Sequence, residues 1–224
     1  MIWRVLFAVL LTAGVFCLAQ SRAQVPMTGA GLGKPFVAAG GSTWNPGDKT
    51  ANMSLTGGNL TAASSNASPA GARATCSHTT GLYYWEVTIN VDGGGFDIAI
   101  TALTATSSLT SADANNVQIF NGNGQIWTAG SLALSFGSAI TAVGNVIQVA
   151  MNVTSRDVWF RGSLMTLWNN SGIADPTMPG TGQILPATVA IFPGIEVNAM
   201  GLAQGTANFG PTFVNMVPTG YGNC

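Results

Sequence analysis

The residues able to do acid–base or nucleophilic work in this chain are few. There is one histidine, His78, and there are two glutamates, Glu86 and Glu196, far apart in sequence. Serine-histidine-aspartate chemistry needs three groups in mutual hydrogen-bond geometry, and no Gly-x-Ser-x-Gly nucleophile turn occurs. His78, set in a Ser/Thr-rich approach to a strand, is read as a surface or hydrogen-bonded histidine. Glycoside hydrolysis needs two carboxyl groups flanking the scissile bond, and the two glutamates give no such cluster. One histidine and two cysteines beyond the N-terminal stretch cannot build the usual zinc sites. Asp92, Asp97, Asp113, Asp157 and Asp175 are isolated, without the Asp-x-Asp spacing that gathers oxygens around calcium. They read as turn formers and surface charge. No catalytic residue, metal or cofactor is expected.

Residues suited to binding are easier to name. Trp127 follows an Asn-Gly turn, and Trp168 lies in a long loop beside Asn169 and Asn170. Tryptophan flanked by asparagine and glycine suits sugar stacking or a peptide pocket. The competing reading is that each indole folds over the edge of the core, and for Trp127 the two stand level. Asp113 and Asn115, in the stretch Thr101–Asn116 that lacks periodicity, complete the candidate ligand-binding set. Cys76 and Cys224 remain once the N-terminal stretch is set aside. In an exported protein two thiols often pair; the alternative is two free thiols, one on a frayed terminus.

The element that must position these groups is Gly81–Ile89, Gly-Leu-Tyr-Tyr-Trp-Glu-Val-Thr-Ile. Period two puts Tyr83, Trp85, Val87 and Ile89 on one face and Tyr84, Glu86 and Thr88 on the other. Around it the chain is strand and turn: 29 Gly, 10 Pro, 47% hydrophobic and only 7% charged residues. That balance excludes a disordered chain and favours an all-β sandwich or barrel. Gly57-Gly58-Asn59 and Asn121-Gly122-Asn123-Gly124 mark hairpins. Asp92–Gly95 predicts a hairpin from the Trp85 strand into Phe96–Ile100, and Ser64–Ala72 predicts an exposed loop. Val146–Val153 and Val158–Arg161 read as a strand pair, followed by a long loop over 162–183 of the kind that carries function.

Net charge is −1, and Lys34, Lys49, Arg73, Arg156 and Arg161 are scattered. A nucleic acid needs concentrated positive surface, so that partner is not expected. Residues 1–23 have the layout of a secretory leader: Arg4, an apolar run from Val5 to Ala19, and Ser-Arg-Ala before a cleavage point. The apolar run is shorter than the ~20 residues of a membrane span. The expected organisation is a leader (1–23), a linker (24–35), a domain (36–214) and a C-terminal tail (215–224). Such a protein is secreted, periplasmic or held at the cell surface, with no membrane span after cleavage.

The central strand resembles the opening motif of the SPRY domain, a glycine followed by Tyr-Trp-Glu-Val. Trp44-Asn45-Pro46-Gly47-Asp48-Lys49 with Met53-Ser54-Leu55 resembles the start of the SPRY-like domains of bacterial and phage proteins. Gly144-Asn145-Val146-Ile147-Gln148-Val149-Ala150-Met151-Asn152 is similar to the family's Gly-Asp-Val-Ile-Gly-Val-Ala-Leu-Asp strand. Val158-Trp159-Phe160 and Ala207-Asn208-Phe209-Gly210 take the places of its next strand and its closing Asn-Phe-Gly. The blocks fall in order across residues 42–213. Asn145, Gln148 and Arg161-Gly162 depart from the pattern at turns.

The resemblance implies a two-sheet antiparallel jelly-roll or β-sandwich of SPRY, concanavalin A-like type. It places Trp44, Trp85, Trp159 and Phe209 in the core and gives Glu86 a structural part. The clustered Glu-x-Asp-x-Glu strand of jelly-roll glucanases is absent. The implied function is non-catalytic recognition of a protein partner through loops at one end of the sandwich: Ser64–Ala72, Thr101–Asn116 and Gly162–Gly182. Two alternatives stand beside it: a glycan-binding, lectin-like domain at the cell surface, and a structural component of an envelope or phage-like assembly.

Overall fold

The computed structural model describes residues 41–224 except 67, 93–97, 105–107, 111–112, 121, 123, 136–141, 186–188 and 198–201. The expected leader (1–23) and linker (24–35) lie outside the described residues.

Fifteen strands follow one another along these residues: β1 Trp44–Lys49, β2 Met53–Thr56, β3 Thr61–Ser64, β4 Ala70–Ala74, β5 Leu82–Val91, β6 Ile98–Thr104, β7 Asn116–Phe120, β8 Gln125–Thr128, β9 Ser131–Ser135, β10 Val146–Asn152, β11 Asp157–Gly162, β12 Gln183–Ile184, β13 Ile191–Val197, β14 Gln204–Asn208 and β15 Gly222–Asn223. A single 3-10 turn covers Trp168–Asn170. The strands form two sheets. One runs β1-β4-β13-β6-β7-β8-β9 and the other β12-β11-β10-β5-β14-β3-β2, with β15 added to β5. Every pairing between these strands is antiparallel except the parallel one of β15 with β5.

Alternation along β5 sets the layers. Trp85, Val87 and Ile89 are fully buried between the sheets, with Ile147, Val149 and Met151 of β10 beside them. Ile119, Ile126 and Ile195 come from the facing sheet, and the Trp44 and Phe209 rings meet edge to face at 5.1 Å. Large aromatic side chains contribute the most area to such a core. Trp159 takes the other face of its strand and joins Tyr84, Ala150 and Trp168 in a second cluster outside the sandwich. The expectation that Trp159 packs the central core is corrected by the register of β11, where Val158 and Phe160 point inward.

Three further readings are corrected. β5 and β6 do not form a hairpin. Both edges of β5 are occupied by β10 and β14, and β6 sits in the opposite sheet between β13 and β7. The stretch Ser64–Ala72 is not wholly a loop, because Ala70–Ala74 is a strand buried at every position. Its small side chains show no periodicity of bulk. They are required by close approach: a Cβ on Gly71 would lie 1.9 Å from the Leu109 carbonyl oxygen. The final residues are not a free tail either. Ala38–Cys224 is one compact unit, and β15 pairs along Tyr83 and Tyr84.

Candidate functional site

The outer face of the β5 sheet carries a row of polar side chains in direct cross-strand register. Arg161 of β11 pairs with Gln148 of β10, Gln148 with Glu86 of β5, and Glu86 with Asn208 of β14. Arg161 donates to Gln148 Oε1 from Nη2 at 2.7 Å and from Nε at 3.3 Å. Tyr84 donates its hydroxyl to Glu86 Oε1 at 2.8 Å. Burial, then the hydrogen bond and negative charge of Glu86, push the Tyr84 phenol far above its ordinary value. It stays protonated as a donor.

Glu86, 1% exposed, is saturated with donors. Beyond Tyr84 it accepts the Val214 N–H at 2.8 Å, the Asn215 N–H at 2.8 Å, Asn215 Nδ2 at 3.0 Å and Asn208 Nδ2 at 3.3 Å. The structural part implied by the motif is therefore specific: this carboxylate holds the C-terminal segment on the sheet. Phe213, Val217 and Tyr221 then pack on Tyr84, Trp159 and Trp168.

The loop after β11 closes over the same face. Asp157 fixes its far end by accepting the Gly180 N–H at 2.9 Å and the Gly182 N–H at 3.3 Å. Asn169, in the left-handed region at φ 46°, turns its Oδ1 onto the Phe160 N–H at 2.8 Å. This satisfies a donor on β11 beyond the two residues where β12 pairs. Tyr221 donates its hydroxyl to the Pro176 carbonyl at 2.9 Å, joining the loop to the C-terminal segment.

Where loop and segment meet, a concavity of about 250 Å³ opens. The sheet supplies Arg161, the loop supplies Trp168 and Asp175–Thr177, and the C-terminal segment supplies Met216–Thr219. The Arg161 guanidinium carbon lies 4.5 Å from the Trp168 ring centroid, a cation–π contact. A second concavity, of about 260 Å³, lies against the same loop and is lined by Asn169, Ile173, Thr181 and Leu134 among others. The surroundings are apolar. Twelve large hydrophobic residues are exposed among the described residues, and six of them belong to the loop after β11 and the C-terminal segment: Leu164, Leu167, Ile173, Met178, Val214 and Met216.

The candidate residues read from the sequence do not converge on one place. Trp168 lines the first concavity, but it is 9% exposed and covered by Arg161, so it is no open stacking platform. Asn169 is buried as a loop anchor, and Asn170 is exposed beside it. Trp127 belongs to the other sheet, where it donates to Gln125 Oε1 at 3.1 Å and meets Phe120 edge to face. Asp113 accepts the Asn115 N–H at 2.7 Å, and the Asn115 carbonyl accepts the Thr104 N–H at 3.2 Å, which makes the pair part of a turn. Leu109, in the predicted loop Thr101–Asn116, lies against Gly71 of β4. Sequence reading missed Arg161, Asp175 and Met216–Thr219. A lone cation and a stretch taken for a tail carry no local signal of a shared pocket.

Cys76 and Cys224 are joined as a disulfide across 148 residues of sequence. His78 comes against this bridge, its Nε2 3.4 Å from Cys224 Sγ and its ring stacked on Tyr83 at 3.3 Å. Burial lowers its pKa to about 4. The cluster of three possible ligands is thus spoken for by the sulfur–sulfur bond. Among the described residues no helix is long and apolar enough to cross a membrane.

No family model and no curated protein matches the sequence. Solved structures do match the fold. The SPRY domain of human HERC1 aligns with a TM-score of 0.58 at 12% identity, covering 73% of this chain and 96% of that one. The TRIM65 PSpry domain aligns at 0.53 and 10% identity over 75% and 89% of the two chains. A human SPRY domain aligns at 0.50 and 16% identity over 74% and 99%. Two packed sheets, the Tyr-Trp-Glu-Val strand in the middle of one of them and these three matches agree: the chain has a SPRY-like fold.

Proposed function

We propose that this chain is an exported, non-catalytic recognition module that binds a protein partner on the surface built by the loop after β11 and the C-terminal segment. The observation that carries this reading is the concavity between Arg161, Trp168 and Met216–Thr219, set within an apolar exposed surface. Protein interfaces combine an apolar, aromatic-backed centre with a few polar anchors and a polar rim. Export is supported by the leader-like residues 1–23 and by a disulfide, which persists in oxidising compartments. The glycan alternative has less behind it, since the Trp168 ring is covered by Arg161.

The test is to pan a displayed peptide library and to probe a glycan array with the same folded protein, in parallel with its Met216→Asp variant. Met216 is 86% exposed, so the change leaves folding intact. Enriched peptides whose affinity falls at least tenfold in the variant support the proposal. Absence of enriched peptides, or peptides indifferent to Met216→Asp, overturns it.

A further inference from the structure

Resting on that reading, we infer that the concavity beside Trp168 captures a carboxylate of the partner polypeptide, with Arg161 as its anchor. A guanidinium has five N–H donors. In Arg161 the side-on pair, Nε and Nη2, is spent on Gln148 Oε1. The end-on fork, made of Nη1 and the second N–H of Nη2, has no hydrogen-bond partner among the described residues. No carboxylate there lies within ion-pair distance of Arg161, whereas Arg73 is paired with Asp48 at 2.7 Å. Arg156 is turned onto the Leu185 carbonyl and Lys49 onto the Met53 carbonyl. Arg161 is therefore a cation with an open fork, half-buried in a concavity.

Its direction is fixed on two sides. Gln148 holds one edge, and the Trp168 ring lies against the guanidinium. A planar fork held in one orientation matches a carboxylate bidentately, and it loses less freedom on binding than a mobile side chain would. The acid already lining the concavity, Asp175, is engaged elsewhere: its Oδ1 accepts both the backbone N–H and the hydroxyl of Thr177 at 2.8 Å. Met216, Val217 and Pro218 add apolar lining. The fitting partner segment presents an acidic group next to apolar side chains. That group is either an Asp or Glu side chain or a chain-terminal carboxylate.

The experiment uses the peptides enriched on the folded full chain. Each is synthesised with its acid intact, with Asp or Glu changed to the amide, and with a free or amidated C-terminus. Each form is titrated against wild type, Arg161→Gln and Arg161→Lys. The expected result is at least tenfold weakening by Arg161→Gln and an intermediate loss for Arg161→Lys, which keeps charge without the fork. For peptides whose acid has become an amide, Arg161→Gln should make no difference. That coupling separates anchoring from mere disturbance of the Trp168 loop, which would weaken both peptide forms alike. Loss on side-chain amidation assigns the anchor to Asp or Glu, and loss on terminal amidation assigns it to a chain end. Met216-dependent peptides that lack any carboxylate requirement overturn this inference while leaving the protein-recognition reading standing. Binding confined to acidic glycans overturns both.

Discussion

Glu86 and Asn215 stand 129 positions apart, yet Asn215 gives both its backbone N–H and its side-chain amide to one oxygen of the Glu86 carboxylate, at 2.8 and 3.0 Å. The motif strand at the centre of the sheet thus holds the segment that forms one side of the proposed binding surface. Fold and function share a residue here. A change at Glu86 is expected to act on the surface before it acts on the core.

Glu86→Ala leaves the buried Tyr84 hydroxyl and the part-buried donors of Asn208, Val214 and Asn215 without their acceptor. Losing hydrogen bonds to a charged acceptor and leaving the Tyr84 hydroxyl unpaired costs about 3 kcal/mol. Glu86→Gln keeps one acceptor oxygen, so the expected loss is smaller, about 2 kcal/mol. Urea unfolding measures the two, with the order Ala worse than Gln. Limited proteolysis should cut the Ala variant first within 212–219. Cleavage there no faster than in wild type would show that the carboxylate does not hold the segment.

The disulfide closes a loop of 148 residues. In the chain-entropy picture such a loop stabilises by roughly 5 kcal/mol as a ceiling. The Cys76→Ser and Cys224→Ser variants should therefore melt well below the oxidised protein and within a degree or two of each other, since either change opens the same loop. Reductant should lower the wild-type melt towards theirs and leave both variants unmoved. A wild-type melt insensitive to reductant would contradict a stabilising bridge.

Much of this was legible in the chain, and the misses share a cause. The faces of β5 follow from period two, and Trp85, Val87 and Ile89 are in the core as that period requires. Gly57-Gly58-Asn59 does turn β2 into β3, and Val158–Arg161 does pair back on β10. Cysteine number left a bridge and two free thiols as alternatives, and the structure joins Cys76 to Cys224. Hidden were relations set by distant neighbours. Glycine and alanine in β4 look like loop until Leu109 is known to lie on Gly71. Trp168 looks like a platform until Arg161 is found over it. Val214 and Asn215 look like the start of a tail until Glu86 is known to accept them. Periodicity reports which face is inward, not what covers the outward one.

His78 predicts a pH dependence. Burial lowers its pKa to about 4 in the fold, against 6.5 for the ordinary side chain. Between these values the unfolded chain binds more protons than the native one, so stability rises with pH. The contribution is complete above about pH 6.5 and is lost as pH falls towards 4. Carboxylates titrate in the lower part of the same window, so the informative quantity is the difference between wild type and His78→Gln. The wild-type melting temperature should fall more steeply between pH 6.5 and 4.5 than that of the variant. Parallel curves would mean that His78 is as free to protonate in the native state as in the unfolded one.

Glu196 carries the opposite sign. It is 4% exposed on β13, its Oε1 has no hydrogen-bond partner, and burial followed by the charge of Asp113 raises its pKa well above 4.5, with Arg73 opposing. The native state therefore holds a proton that the unfolded chain releases above pH 4.5, and stability falls as pH rises beyond that point. Replacing the acid by an amide of the same shape removes the titration while keeping the packing. Glu196→Gln should raise the melting temperature at pH 7.5 and give little change at pH 4.5, where the acid is already neutral in the fold. Since Glu196 lies on the sheet opposite the Arg161 concavity, the same variant should bind enriched peptides as wild type does. A melt lowered at pH 7.5 would show that the ionised carboxylate is used in the fold, with Arg73 as the cation that the charge of Glu196 serves.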